Sequence, residues 1–407
     1  MYTIDPQTWS YIVLVFGIMG LVLYILVTCL LVLALVYAKF VFYRKSEPLL
    51  ETDEAPGVSI IKPLMGLDPL LEENLDSHFK LKYSKFELLF CVHDDDDPAI
   101  NLVEKLKERY PKVETRMFIG GQAGIINPMV TNMAPAYNAA AYNYVWISSS
   151  RVKVSTEIIL DLVSKLQRPD VGLVHQIPFV TDQSGFGASI EKIYFGCAMA
   201  RYYISLNALG LSCVTGMSYM FKKTVLDECN GLAWYGQYLA EDFFLSNNIH
   251  RAGYKLVLSS YPAQQNVACP TVKVFITRMV RWMRLRINAL TIVTVIIEPS
   301  VDCFPLGLWG AWCFHEFFGI NPYLFMPIHV TFWIIRDYLQ LLQLQNTKLT
   351  FSLLYFIIAW IVRELLQTMT IFLSLFKPHI IKWGKRTYYV RCGGQTQIIS
   401  DKSAMHL

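Results

Sequence analysis

From residue 11 to residue 38 the chain is apolar and uncharged, longer than the ~20 residues that cross a bilayer. The ten residues before it carry only Asp5 as a charge, with neither a basic start nor a small-residue cleavage site. This pattern predicts a membrane anchor rather than a cleaved leader. After a polar, proline-containing linker at 47–57, the pattern changes to short apolar runs alternating with amphipathic ones. Residues 58–61, 87–92, 115–119, 144–147, 172–175 and 217–221 read as strands. Residues 69–79, 98–110, 133–142, 186–206 and 271–288 read as helices, and another opens at Ala240. Strands separated by helices of about 10 to 12 residues predict a parallel, doubly wound α/β sheet.

Beyond Asn288 the apolar character returns, in stretches at 290–297, 304–320, 322–344 and 351–376. The expected organisation is therefore an N-terminal tip and anchor (1–40), a globular domain (41–288), membrane-embedded or interfacial helices (289–376) and a basic tail (377–407). Lys39, Arg44 and Lys45 follow the anchor, and Lys377, Lys382, Lys385, Arg386 and Arg391 crowd the tail. By the positive-inside rule the N-terminus is lumenal, while the domain and tail are cytosolic. That needs an even number of later crossings, two of them expected from the last two stretches, with the first two interfacial or re-entrant. Arg336–Asp337 and Arg363–Glu364 are costly in lipid and should face each other, protein or water. The nine cysteines show no C-x-x-C or zinc spacing and read as reduced thiols. The net charge of +4 is that of juxtamembrane lysines and arginines, and no aromatic–basic stripe suggests a nucleic-acid partner.

Three features carry candidate chemistry. Asp94, Asp95, Asp96 and Asp97 end the strand at 87–92, at the edge where open α/β sheets bind ligands. They read equally as an acidic turn before a helix with Pro98 at its first position. Glu241 and Asp242 sit at a helix start, where acids suit the dipole. Helical neighbours point about 100° apart, so at most one of them faces a cleft, where it could take a proton from an attacking hydroxyl. In Arg278-Met-Val-Arg281-Trp282, Arg278, Arg281, Trp282 and Leu285 share a helix face. They are either membrane-surface anchors or a grip on a diphosphate.

In this order, ahead of a membrane bundle, the three resemble the nucleotide-sugar glycosyltransferases of GT-A type, and more narrowly the ceramide glucosyltransferase family. The resemblance runs nearly end to end. It includes Gly57-Val-Ser-Ile-Ile-Lys62-Pro, Cys91-Val-His-Asp94, Ile126-Asn-Pro128, Arg201-Tyr-Tyr-Ile-Ser205, Val214-Thr-Gly-Met-Ser218, Ala240-Glu-Asp-Phe-Phe and Arg391-Cys-Gly-Gly394. It implies UDP-glucose as donor, ceramide in the bilayer as acceptor, an inverting transfer, and a Golgi membrane with the catalytic face cytosolic. It implies that Asp94 helps hold the UDP moiety and that Asp242 is the base. Arg278, Arg281 and Trp282 match the family's R-x-x-R-W element.

The chain departs from the family where a second aspartate is expected after a strand, in an Asp-Ser-Gly segment. Ser149 stands there, with Arg151 at the glycine; Met129 and Met199 replace a lysine and a histidine. Serine is a poor ligand for Mg2+ or Mn2+ beside a carboxylate, and Arg151 would repel a metal or replace its charge. Metal dependence thus stays open. The alternatives are a catalytically silent paralogue that binds lipid or a partner, and a processive polysaccharide synthase. The single N-terminal anchor argues against the latter.

Overall fold

The computed structural model describes residues 5–43 and 55–401, except positions 182, 212, 269 and 385. Ten strands belong to the globular domain: β1 (Val58–Pro63), β2 (Phe86–Val92), β3 (Glu114–Ile119), β4 (Tyr144–Ser148), β5 (Val152–Lys153), β6 (Val171–His175), β7 (Pro178–Val180), β8 (Ser218–Lys222), β9 (Lys255–Leu258) and β10 (Ala263–Gln265). Seven form the main sheet, in the order β3-β2-β1-β4-β8-β6-β9. The expectation of a wholly parallel sheet is corrected by β8, which is antiparallel to both β4 and β6. Its approach explains the reversal. After a long helical excursion the chain re-enters from the carboxyl edge, where Met217 accepts a backbone hydrogen bond from Ser149 at 2.8 Å. The strands β5, β10 and β7 make a small second sheet.

The accompanying helices are α1 (Pro6–Val41), α2 (Leu71–Phe79), α3 (Ala99–Arg109), α4 (Pro128–Ala139), α5 (Thr156–Leu166), α6 (Phe186–Ile193), α7 (Ala200–Ala208), α8 (Lys223–Glu228), α9 (Gly231–Trp234) and α10 (Glu241–Arg251). Alternate strand residues serve opposite cores. Ile60, Leu88, Phe90 and Trp146 pack with α2, α3 and α5, while Ile61, Leu89, Val145 and Ile147 pack with α4 and α10. Helix α4 begins five residues before the expected Met133 and ends at Ala139 rather than Tyr142. Asn127 caps it, its Oδ1 accepting from Met129 N at 2.8 Å, and Pro128 fills the first turn, where no N–H is needed.

Between α6 and α7 the helix widens into a π-turn at Tyr194–Met199. A widened turn leaves carbonyls short of partners. Gln340 supplies them, donating to Gly196 O at 3.1 Å and Cys197 O at 3.4 Å. Gln340 lies on α14, within the series α11 (Val272–Ala289), α12 (Glu298–Ser300), α13 (Cys303–Phe318), α14 (Pro322–Gln345) and α15 (Leu353–Leu375). This contact ties the globular domain to the apolar helices.

Among the described residues, two helices are long and apolar enough to span a membrane, Gln7–Val41 and Leu353–Leu375. Helix α13 lies against α1, with Phe317 on Gly17 and Trp309 on Gly20, and α14 then returns beside it. Tyr24 meets His329 Nδ1 at 3.0 Å, and Tyr43 donates to Leu344 O at 2.6 Å, so α14 and α1 run in the same direction. By contrast α15 packs on α6 and α11. It exposes Leu354, Ile358, Ile361, Leu365 and Phe372, one stripe at helical spacing.

The two adjacent charge pairs meet inside this assembly. Asp337 pairs with Arg336, approaches Arg363 at 3.6 Å and Arg201 at 3.7 Å, and accepts from Trp360 Nε1 at 2.8 Å. Arg363 also pairs with Glu364, and Arg201 reaches Asp302 at 3.0 Å. The expected mutual facing is present, with Arg201 of α7 as its unexpected centre. The tail also folds, into the antiparallel strands β11 (Ile380–Trp383), β12 (Arg386–Val390) and β13 (Thr396–Asp401). Asn288 holds it, donating to Pro378 O at 2.9 Å and accepting from Gly393 N at 2.8 Å.

Candidate active site

Strands β2 and β4 flank β1 in parallel, so Asp94 and Ser149 leave the sheet at the same edge. The four aspartates divide between two roles. Asp97 is structural: its Oδ2 accepts from Gly66 N and its Oδ1 from Ala99 N, both at 2.8 Å. It fixes the start of α3 and the loop after β1. Asp94, Asp95 and Asp96 are exposed at the edge, where their mutual repulsion is screened by water.

Across from Asp94, the loop after β4 is held by its backbone. Ser149 O accepts from Lys62 Nζ at 2.8 Å and from Val152 N at 3.1 Å. Lys62 is wholly buried at the end of β1 and has no carboxylate beside it among the described residues. Its other neighbours are His78 Nε2 at 3.2 Å and Ser148 Oγ at 3.3 Å. Burial holds the Lys62 ammonium well below the usual lysine range, and burial followed by Lys62 itself does the same to His78. This polar cluster lies directly behind the Ser149 loop. The sequence concealed it because Lys62 continues an apolar strand.

The start of α10 separates its two acids. Glu241 turns inward and accepts from Asn127 Nδ2 at 2.6 Å. Asp242 is partly exposed, accepts from Phe243 N at 2.9 Å, and faces Gly216 just before β8. A Cβ at Gly216 would stand 3.3 Å from the Asp242 Oδ2, so glycine lets the backbone approach the carboxylate. Burial and then Asp242 raise the Glu241 pKa to about 8; burial raises that of Asp242 to about 6, opposed by backbone hydrogen bonds. Near neutrality Glu241 keeps its proton while Asp242 is ionised and able to accept one.

The single face expected for α11 resolves into two adjacent stripes. Arg278 pairs with the buried Glu191 of α6, and its guanidinium lies 5.5 Å from the Phe195 ring and 5.7 Å from the Trp282 ring. Arg281 instead lies 5.2 Å from the Trp383 ring of β11, and Leu285 joins the small core of the C-terminal sheet. Glu191 and Trp383 escaped the sequence reading, the first within a helical run and the second in a tail read only for charge. The Arg391–Gly394 turn also closes on this region. Gly394 lies so near Phe244 that a Cβ would come within 2.4 Å of its ring.

The residues do not fit a divalent metal. Among the described residues no three of His, Cys, Asp and Glu come together as ligands. The position facing Asp94 offers a serine hydroxyl, with the exposed Arg151 two residues on. The chain thus offers exposed carboxylates after β2, a carboxylate of raised pKa at the start of α10, and guanidiniums on α11 backed by aromatic rings. Hydroxyl activation beside a nucleoside diphosphate is the chemistry such a set can perform.

The profile of glycosyl transferase family 21 matches residues 25–396. Ceramide glucosyltransferase 3 of Caenorhabditis elegans is 37% identical over 379 residues, covering 93% of this chain and 82% of that protein. Ceramide glucosyltransferase 1 of the same organism is 37% identical over 365 residues, covering 89% and 77%. Among solved structures, the mannosyltransferase PcManGT from Pyrobaculum calidifontis, in complex with GDP-Man and Mn2+, shares the fold. Its TM-score is 0.52 at 15% identity, covering 86% of this chain and 98% of that one. The chain thus has the GT-A-type fold and belongs to glycosyl transferase family 21.

Proposed function

We propose that this protein transfers glucose from UDP-glucose to ceramide, forming β-glucosylceramide with inversion at the anomeric carbon. The observation that carries the acceptor is 37% identity along 93% of the chain to a protein named ceramide glucosyltransferase. The chemistry of the site supports it. Asp242 takes the proton of the ceramide primary hydroxyl as the oxygen attacks the anomeric carbon. The new C–O bond forms as the bond to the β-phosphate breaks, and UDP leaves with the electron pair. Asp94 holds the nucleotide side of the donor, and Arg278, Arg281 and Trp282 form the wall beside the diphosphate. Ceramide is too apolar to leave the bilayer, so an edge beside apolar helices suits it. The domain faces the cytosol on a Golgi membrane, with α13 and α14 dipping beside α1 and α15 lying in the interface.

The test is the purified protein in nanodiscs with UDP-glucose and a short-chain fluorescent ceramide. The expected product carries a single glucose, and Asp242→Asn forms it at least about a hundredfold more slowly. A sugar polymer, or transfer to other hydroxyl lipids with ceramide ignored, would overturn the reading. Protease resistance of the globular domain in sealed vesicles would overturn the orientation.

A further inference from the structure

Breaking the bond to UDP builds negative charge on the diphosphate, and that charge needs a positive partner. Ser149 and the missing third ligand leave no site for a divalent ion, yet the same edge holds uncommitted cations. Arg278 is not one of them, because it is paired with Glu191. Arg281, half-buried on α11 and resting on Trp383, has no carboxylate partner among the described residues. Arg151 has none either, and its side chain is exposed.

The backbone that carries Arg151 is rigidly placed. Its carbonyl accepts from Asn266 N at 2.8 Å. Asn74 Nδ2 donates to Ser150 O at 3.2 Å, and Asn74 and Asn266 also bond to each other at 3.0 Å. A guanidinium is thus held two residues after the position facing Asp94. Arg281 also senses its cationic neighbours: burial, then Arg278, then Arg151 lower its pKa. Like charges gathered without an anion repel, and a diphosphate between them turns that repulsion into attraction.

We propose that Arg151 and Arg281 together receive the donor diphosphate in place of a divalent metal, so that nucleotide binding by this chain is metal-independent. The proposal rests on the nucleotide-sugar reading above and adds the identity of the counter-charge. Guanidiniums suit the task because they present paired donors to phosphate oxygens and remain charged at any working pH.

The experiment is calorimetric titration of UDP into the purified full-length protein in detergent, with EDTA and then with excess Mn2+. The expected Kd differs by less than twofold between the two. Arg151→Gln is expected to weaken binding at least tenfold, or ~1.4 kcal/mol, with an unchanged melting temperature, and Arg151→Lys to recover part of the loss. A tenfold loss of affinity in EDTA, or natural affinity in Arg151→Gln, overturns the proposal. Glucosylceramide formed only with Mn2+ would refute the arginine site and leave ceramide glucosylation standing. Metal-free UDP binding without transfer to ceramide would do the reverse.

Discussion

Replacing Asp242 by asparagine should move activity and stability in opposite directions. The residue sits partly buried against Gly216, with a carboxyl raised from 3.8 to about 6, chiefly by burial. In the unfolded chain it ionises near 3.8, so between those values the folded state binds the extra proton. Stability from the protonated form is complete below pH 3.8 and is lost as pH rises through about 6. At 1.36 kcal/mol per pH unit, the ionised carboxylate costs the fold at most about 3 kcal/mol at pH 8. The cost shrinks as pH falls from about 6 toward 4, where the folded-state carboxyl is protonated. Glu241 keeps its proton over most of this range and begins to lose it near pH 8. Asparagine cannot ionise, so Asp242→Asn should raise the melting temperature at pH 8 and have little effect at pH 4. Losing the base should lower kcat on the order of 10²–10⁴-fold. The natural protein should lose kcat/KM tenfold per pH unit below about 6. Differential scanning fluorimetry across pH, paired with initial rates on fluorescent ceramide, gives both readings. A variant that turns over normally, or one destabilised at pH 8, refutes the assignment.

Three further outcomes follow from the packing around α11 and α15. Glu191→Gln leaves Arg278 buried without its carboxylate, which should cost roughly 3–5 kcal/mol; a melting temperature unchanged within 1 °C (about the resolution of the scan) would contradict the pairing. Trp383→Ala removes the ring under Arg281 and should weaken UDP binding by about 1 kcal/mol, read by titration, with little change in kcat; unaltered affinity would detach the C-terminal sheet from the site. Spin labels at Phe372 and Leu365, both on the exposed stripe of α15, should report the same shallow membrane depth. A steep depth difference between them would mean that α15 crosses.

The legible parts of the sequence were those with a long or regular pattern. The uncharged run of α1 and the alternating apolar residues of β1, β2 and β4 announce themselves because burial demands them. Strands β5, β7 and β10, of two or three residues, are too short for alternation to show. The reversal of β8 depends on where the chain re-enters the sheet, which local pattern does not encode. At the site, the residue types at Asp94, Asp242, Arg278 and Arg281 were visible, but their partners were not. Glu191 and Trp383 lie far along the chain from Arg278 and Arg281, and nothing in their own neighbourhoods marks them. The tail shows the same blindness: its lysines and arginines read as a basic run, while its buried residues Ile381, Tyr388 and Val390 build a sheet against α11.

The most direct test of the account is mass spectrometry of the lipid made by the full-length protein in nanodiscs supplied with UDP-glucose and ceramide. The account predicts a β-linked monoglucosylceramide from the natural sequence, reduced at least about a hundredfold in Asp242→Asn. No glucosylceramide from folded protein that binds UDP would contradict it.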